Sequence, residues 1–115
     1  MNVLITGASS GIGEALAVAC AQRGVRNIFL CGRDAARLAA AVKKCGEAVH
    51  VEGRVLDVTD EAAVRAWIEE CNAVAPLEVV FSNAGIGTGS ESEENVRRTF
   101  ATNIGGGLNV VLPTI

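Results

Sequence analysis

Eight residues near the start of the chain, Thr6-Gly7-Ala8-Ser9-Ser10-Gly11-Ile12-Gly13, have the types and spacing to hold a phosphate. They follow an apolar run at residues 3–5 and lead directly into a periodic apolar stripe, so the glycines fall in a strand-to-helix turn. Glycines there let the main chain turn tightly and come close to a pyrophosphate. The free amides and the dipole of the helix start then favour its negative charge. The spacing is G-x-x-x-G-x-G. It differs from the G-x-G-x-x-G of the common dinucleotide fingerprint, and no Lys follows the glycines as in a Walker A loop. Glycines alone would suit a plain tight turn; the strand–turn–helix setting favours a phosphate.

The elements that must position this turn alternate along the chain. The run at 3–5 reads as a buried parallel strand. A helix follows over about 12–23, with Ile12, Leu16, Ala19 and Cys20 on one stripe and Gly24 closing it. Residues 28–31 form the second strand. Asp34 caps a second helix with the stripe Leu38, Ala41, Val42, Cys45, ended by Gly46. In the third strand, about 49–56, Val49 and Val51 alternate with His50 and Glu52, so one face is wet, as suits a sheet edge. Thr59 is the expected cap of a third helix that buries Val64, Trp67, Ile68 and Cys71. Residues 79–81 form the fourth strand, and a Gly/Ser/Thr-rich loop runs from Asn83 to about Ser90. A last helix starts near Ser92, where Ser90-x-x-Glu93 offers a capping box. The order β-α-β-α-β-α-β-α predicts a parallel sheet with right-handed crossovers and helices on both faces.

That last helix carries Val96, Phe100, Ile104 and Leu108 on one stripe, and Asn103 is expected on the same inward side. A buried Asn must have its amide satisfied. A helix-bending or strand-bridging role competes with a chemical one. Gly105-Gly106-Gly107 follows at once. Glycine in a helix interior costs about 1 kcal/mol relative to Ala. Either something approaches this helix closely or its second half is weak.

Composition bounds the classes of function. The 115 residues suffice for one domain, and half are hydrophobic. A net charge of -3 leaves no basic footprint for nucleic acid. No segment is long enough to span a membrane, and the start lacks the basic flank of a signal peptide, so the expected location is the cytoplasm. Cys20, Cys31, Cys45 and Cys71 form no CxxC pair, and no His lies near enough to suggest a zinc ligand set, so no metal site is expected. They read as small buried hydrophobes in a reducing compartment.

At this point the sequence resembles the short-chain dehydrogenases/reductases. Their hallmark T-G-x-x-x-G-I-G is matched from Thr6 to Gly13. Cys31-Gly32-Arg33-Asp34 closes the second strand, Asp57-Val58-Thr59 follows the third, and Ser82-Asn83-Ala84-Gly85 closes the fourth, where the family usually has N-N-A-G. Thr102-Asn103-Ile104 sits in the next helix. The resemblance covers essentially the whole chain, residues 1–115 forming a partial NAD(P)-binding domain. It implies a Rossmann-type α/β fold with strand order 3-2-1-4, ending after the helix that follows the fourth strand.

The resemblance also implies a nicotinamide dinucleotide as partner. Gly7, Ser9, Ser10, Gly11, Ile12 and Gly13 would hold it at the first turn, with Arg33, Asp57, Val58, Asn83, Ala84 and Gly85 at the later ones. Asp57 would meet the adenine amino group, unless it serves only as a turn or cap aspartate. Asn83 would lock the main chain at the crevice, and Gly85 would admit the nicotinamide-side ribose. At Arg33 a carboxylate would select NAD, whereas Arg attracts the 2′-phosphate of NADP, so NADP is expected, with NAD the alternative. A solvated Arg33 paired with Asp34 is the plainer reading. Asn103 falls at the family's catalytic Asn, which holds a water in a proton relay.

The family's catalytic Ser and its Y-x-x-x-K motif have no match here, and the sequence contains no Tyr. Ser9 and Ser82 belong to other positions, Lys43 and Lys44 lie on the second helix, and His50 lies on the presumed edge strand. General acid–base catalysis contributes about a hundred- to ten-thousand-fold in rate. The chain by itself is therefore expected to lack significant carbonyl reductase activity. The fourth strand should present an unpaired edge. That edge, or the last helix, would serve for pairing with a second copy or another chain. A stand-alone NADP-binding module, a partner-completed half and a nonfunctional remnant stay open beside the leading reading, the front half of an NADP-dependent reductase.

Overall fold

The computed structural model describes residues 1–86 and 92–114. Four strands form one parallel sheet: β1 (Asn2–Ile5), β2 (Asn27–Gly32), β3 (His50–Val55) and β4 (Val79–Phe81). Their spatial order is β3-β2-β1-β4, as expected from the sequence. Val3 pairs with Ile28 on one side and Val79 on the other, and Gly32 at the end of β2 pairs with Val55.

Alternation along the strands sends side chains into two separate cores. Val3, Ile5, Ile28 and Leu30 pack with Ala17 of α1 (Gly11–Gln22) and Leu38 of α2 (Ala35–Lys44). Leu4, Phe29 and Cys31 point the other way, onto Val64, Trp67, Ile68 and Cys71 of α3 (Glu61–Val74) and Val110 of the last helix. The buried strands are thus apolar on both faces, as a parallel sheet covered by helices requires. β3 departs from this: it lies at the edge and most of its residues are exposed. There His50 Nε2 stands 3.3 Å from Glu52 Oε1, a solvated pair.

The helix starts follow local chemistry, with one change from expectation. Asp34 caps α2 by accepting from the Arg37 N–H. Thr59, the expected cap of α3, is displaced one residue: Asp60 is the cap and accepts from the Ala63 N–H at 3.1 Å. Thr59 instead donates to Asp57, whose carboxylate competes for it two residues away. Ser92 caps α4 (Glu93–Phe100) by accepting from the Asn95 N–H. The capping-box residue Ser90 lies outside the described residues.

Helix α4 runs without interruption into a π-helical segment, Ala101–Gly106, then α5 (Gly107–Val111) and a short 3-10 turn (Leu112–Thr114). Its orientation reverses the sequence expectation. Val96, Phe100, Ile104 and Leu108 are 43–59% exposed, and Thr102, Gly106 and Val110 face the core. The bulky stripe carried the stronger periodic signal, but the side that packs is the one whose small residues permit close approach. Helix α1 shows the same effect. Ile12 is 78% exposed, and Gly13 and Ala17 are its buried residues.

Candidate functional site

A cleft of about 310 Å3 opens at the carboxyl ends of the parallel strands, where ligands bind in open α/β sheets. Four segments distant in sequence meet there. The turn after β1 supplies Gly7, Ser9, Ser10 and Ile12; the end of β2 supplies Arg33; the turn after β3 supplies Asp57 and Val58; the turn after β4 supplies Asn83, Ala84 and Gly85. Gly11, Gly13 and Asn103 do not line the cleft itself. Cys31, Gly32, Leu56, Ile86 and Thr102 do; Cys31, Gly32 and Thr102 lay in the quoted motifs without a cofactor role, and Leu56 and Ile86 carried no signal.

The turn after β1 is built for close approach. Gly7 has φ +66°, and a Cβ on it would lie 2.7 Å from the Ala84 Cα. Gly13 is buried beneath the turn, where a Cβ would collide with the Gly7 carbonyl and come within 2.8 Å of Asn83 Nδ2. Gly11 is different: it has φ +58° and faces open space. Ser10 precedes α1 without a side-chain cap hydrogen bond. The first amides of α1 are therefore available to an anion.

Thr6, the first residue of the glycine turn, to which the sequence assigned no role of its own, ties the first and fourth turns together. It is fully buried, and its Oγ1 accepts from the main-chain N–H groups of Asn83 at 3.0 Å and Ala84 at 3.1 Å. Asn83 Nδ2 returns a hydrogen bond to the Gly7 carbonyl at 3.3 Å. Asn83 thereby also contacts the main chain of the first turn. A threonine at the end of an otherwise apolar strand was the available signal.

Arg33 and Asp57 set the charge of the opposite end. Asp34, the expected partner of Arg33, instead caps α2 and faces Arg37 at 3.8 Å. Among the described residues Arg33 makes no salt bridge and is exposed at the cleft. Asp57 Oδ1 accepts from the Thr59 N–H at 2.9 Å and the Thr59 hydroxyl at 2.7 Å, so the turn role is real. The Thr59 amide chiefly holds the Asp57 carboxyl below its usual value; the Thr59 hydroxyl and the Arg33 charge act the same way, against partial burial. Asp57 is therefore an anion at neutral pH.

Asn103 is exposed rather than buried, but its amide is fully engaged. Oδ1 accepts from the Ile86 N–H at 2.7 Å, and Nδ2 donates to the Ile86 carbonyl at 2.9 Å. The bridge reaches a loop residue rather than a strand, so it is neither the helix-bending nor the strand-bridging role the sequence left open. The bridge pins the chain just beyond Gly85, and Asn103 sits within the π-helical segment. Such segments occur often at functional sites. Cys31 lines the cleft, but burial pushes its thiol up to about 12, so it remains protonated and unreactive at neutral pH.

These residues fit a dinucleotide. The cleft is of the size of small-ligand sites, about 300–1,000 Å3. It joins a glycine turn at the start of α1 to Arg33, which makes no salt bridge among the described residues. Over 93 residues the chain is 42% identical to granaticin polyketide synthase putative ketoacyl reductase 1 of Streptomyces violaceoruber, covering 79% of this chain and 34% of that protein. A variant of actinorhodin polyketide ketoreductase solved with NADPH superposes with a TM-score of 0.85 at 30% identity, over 98% of this chain and 46% of the other. NAD+-bound xylitol dehydrogenase superposes with a TM-score of 0.88 at 26% identity, over 97% and 45%. The chain spans about a third to a half of the length of the curated relatives it matches. A sequence profile of the short chain dehydrogenase family matches residues 1–114. By that match, and by the sheet order and first turn that it shares with these proteins, the chain belongs to the short-chain dehydrogenase family.

Proposed function

We propose that these residues, 1–115, form the NADP-binding part of a carbonyl reductase or alcohol dehydrogenase. The observation that carries this reading is the meeting of the glycine turn, Arg33, Asp57-Val58 and Asn83-Ala84-Gly85 on one cleft. Gly7, Ser9, Ser10, Gly11, Ile12 and Gly13 would shape the turn that receives the pyrophosphate on the α1 amides. Arg33 would pair with the 2′-phosphate, Asp57 and Val58 would flank the adenine, and Asn83, Ala84 and Gly85 would border the nicotinamide ribose. When bound, the dinucleotide supplies or accepts the hydride. Asn103 holds Ile86 at that end of the cleft. The sequence has no Tyr, so a proton donor of that type must come from outside these residues. These residues alone bind the cofactor without turning over a carbonyl. The four free thiols accord with a cytoplasmic setting.

Among the described residues the outer edge of β4 has no strand partner, and that edge and the exposed stripe Val96, Phe100, Ile104 and Leu108 favour completion by further polypeptide or a second copy. Sedimentation that finds only a well-behaved monomer counts against that part.

Fluorescence titration with NADPH and NADH tests the cofactor reading. NADPH should bind more tightly, and Arg33→Glu should weaken it by tenfold or more while sparing NADH. Hydrogen bonds to charged groups contribute about 1.5–3 kcal/mol, which sets that scale. Equal loss of both nucleotides, or no binding of either by the parent chain, defeats the reading.

A further inference from the structure

We propose that Asn109 is a positioning residue for the adenine end of the cleft, acting through the main chain of Val58. The inference rests on the dinucleotide reading above. Val58 lines the cleft, yet it belongs to a loop between β3 and α3 rather than to the sheet. It is gripped from two directions. Asn109 Nδ2 donates to the Val58 carbonyl at 2.9 Å, across 51 residues of sequence. Gly106, one turn earlier on the same helix, brings its bare backbone against the Val58 side chain: a Cβ there would stand 2.5 Å from Val58 Cγ2. Val110, fully buried, shares the same core cluster as Val58.

The loop's own bonds are local. Asp57 engages Thr59, and the Asp60 N–H donates to the Asp57 carbonyl at 3.0 Å. These fix the shape of the turn but not its distance from the first turn across the cleft. That distance is set by the strand end, where Leu56 N–H meets the Gly32 carbonyl, and by the last helix. The same helix holds Ile86 through Asn103. One continuous helical stretch therefore contacts both ends of the cleft, Asn103 at one and Asn109 at the other.

The test is binding to the full chain of two half-cofactors, adenosine 2′,5′-bisphosphate and nicotinamide mononucleotide, by NMR titration. Asn109→Leu, close in volume and without a donor, should weaken the adenosine bisphosphate by roughly fivefold, the scale of one neutral hydrogen bond. Nicotinamide mononucleotide should bind as to the parent. Asn109→Gln, which keeps the amide, should recover part of the loss. Where Asn109→Leu weakens both halves alike, the residue is merely structural and the inference fails. It fails too if neither half changes. A parent chain that binds neither half nor NADPH overturns the dinucleotide reading and this inference with it. If Asn109→Leu proves unfolded, Asn109→Ala serves, since it removes the donor to the Val58 carbonyl without adding bulk and should show the same bias toward the adenosine half; an even loss across the two halves again counts against the idea.

Discussion

The Thr6 hydroxyl accepts the main-chain N–H of Asn83 at 3.0 Å, joining the turn after β1 to the turn after β4 across 77 residues. The same oxygen accepts from Ala84, so one buried hydroxyl ties together two of the turns that line the cleft.

Thr6→Val should therefore destabilise the fold. The Asn83 N–H keeps the Phe81 carbonyl as a second acceptor, but the Ala84 N–H loses the hydroxyl. Leaving a buried donor unsatisfied costs about 1–3 kcal/mol. Urea unfolding measures this, with Thr6→Ser as the control that keeps the hydroxyl. If the Val variant is as stable as the parent, the hydroxyl does not tie the turns.

The glycine run in the last helix should split in its response to alanine. A Cβ at Gly105 meets no atom within 4 Å, whereas one at Gly106 meets Val58. Gly105→Ala should stabilise by about 0.5–1 kcal/mol through reduced backbone entropy. Gly106→Ala should destabilise by about 1–3 kcal/mol through overpacking. Thermal melts of the two variants decide the matter, and shifts of Tm in the same direction would contradict this account of the helix packing.

Thiol labelling should follow burial. Burial raises Cys31 and Cys71 from 9.0 to about 12, so both should resist iodoacetamide at pH 8 in the folded chain. Cys20, partly exposed, should label first, although burial raises it as well. The linkage has a definite sign. Raised folded values mean the neutral thiols support the fold fully below 9.0, and that contribution is lost as pH rises through about 12. Rapid modification of Cys31 without unfolding would contradict its burial.

Asp57 should titrate in the opposite sense. Its carboxyl lies below 3.8, chiefly because the Thr59 amide stabilises the anion. Its contribution to stability is present above 3.8 and disappears as pH falls through the depressed folded value. A carbon-detected NMR titration should find a midpoint under 3.8. It should move upward in Arg33→Gln, because the Arg33 charge also favours the anion. A midpoint at or above 3.8 in the parent chain would show that the turn hydrogen bonds are not formed in solution.

Much was determined by the sequence itself, for local reasons. The apolar runs of β1, β2 and β4, the Asp34 cap and the Val64, Trp67, Ile68 and Cys71 face of α3 depend on periodicity and nearby polar groups, which are written in adjacent residues. The glycine turn was legible for the same reason, whereas the strand order 3-2-1-4 followed from the family resemblance. Only the tertiary structure decided which side of the last helix packs, that Asn103 spends both halves of its amide on Ile86, and that Thr6 and Asn109 hold the turns of the cleft. Each of these depends on a partner far away in the chain. Periodicity reports where bulky apolar groups lie, but Gly106 packs through its lack of a side chain, and a hydrogen bond across 51 or 77 residues leaves no mark in local spacing.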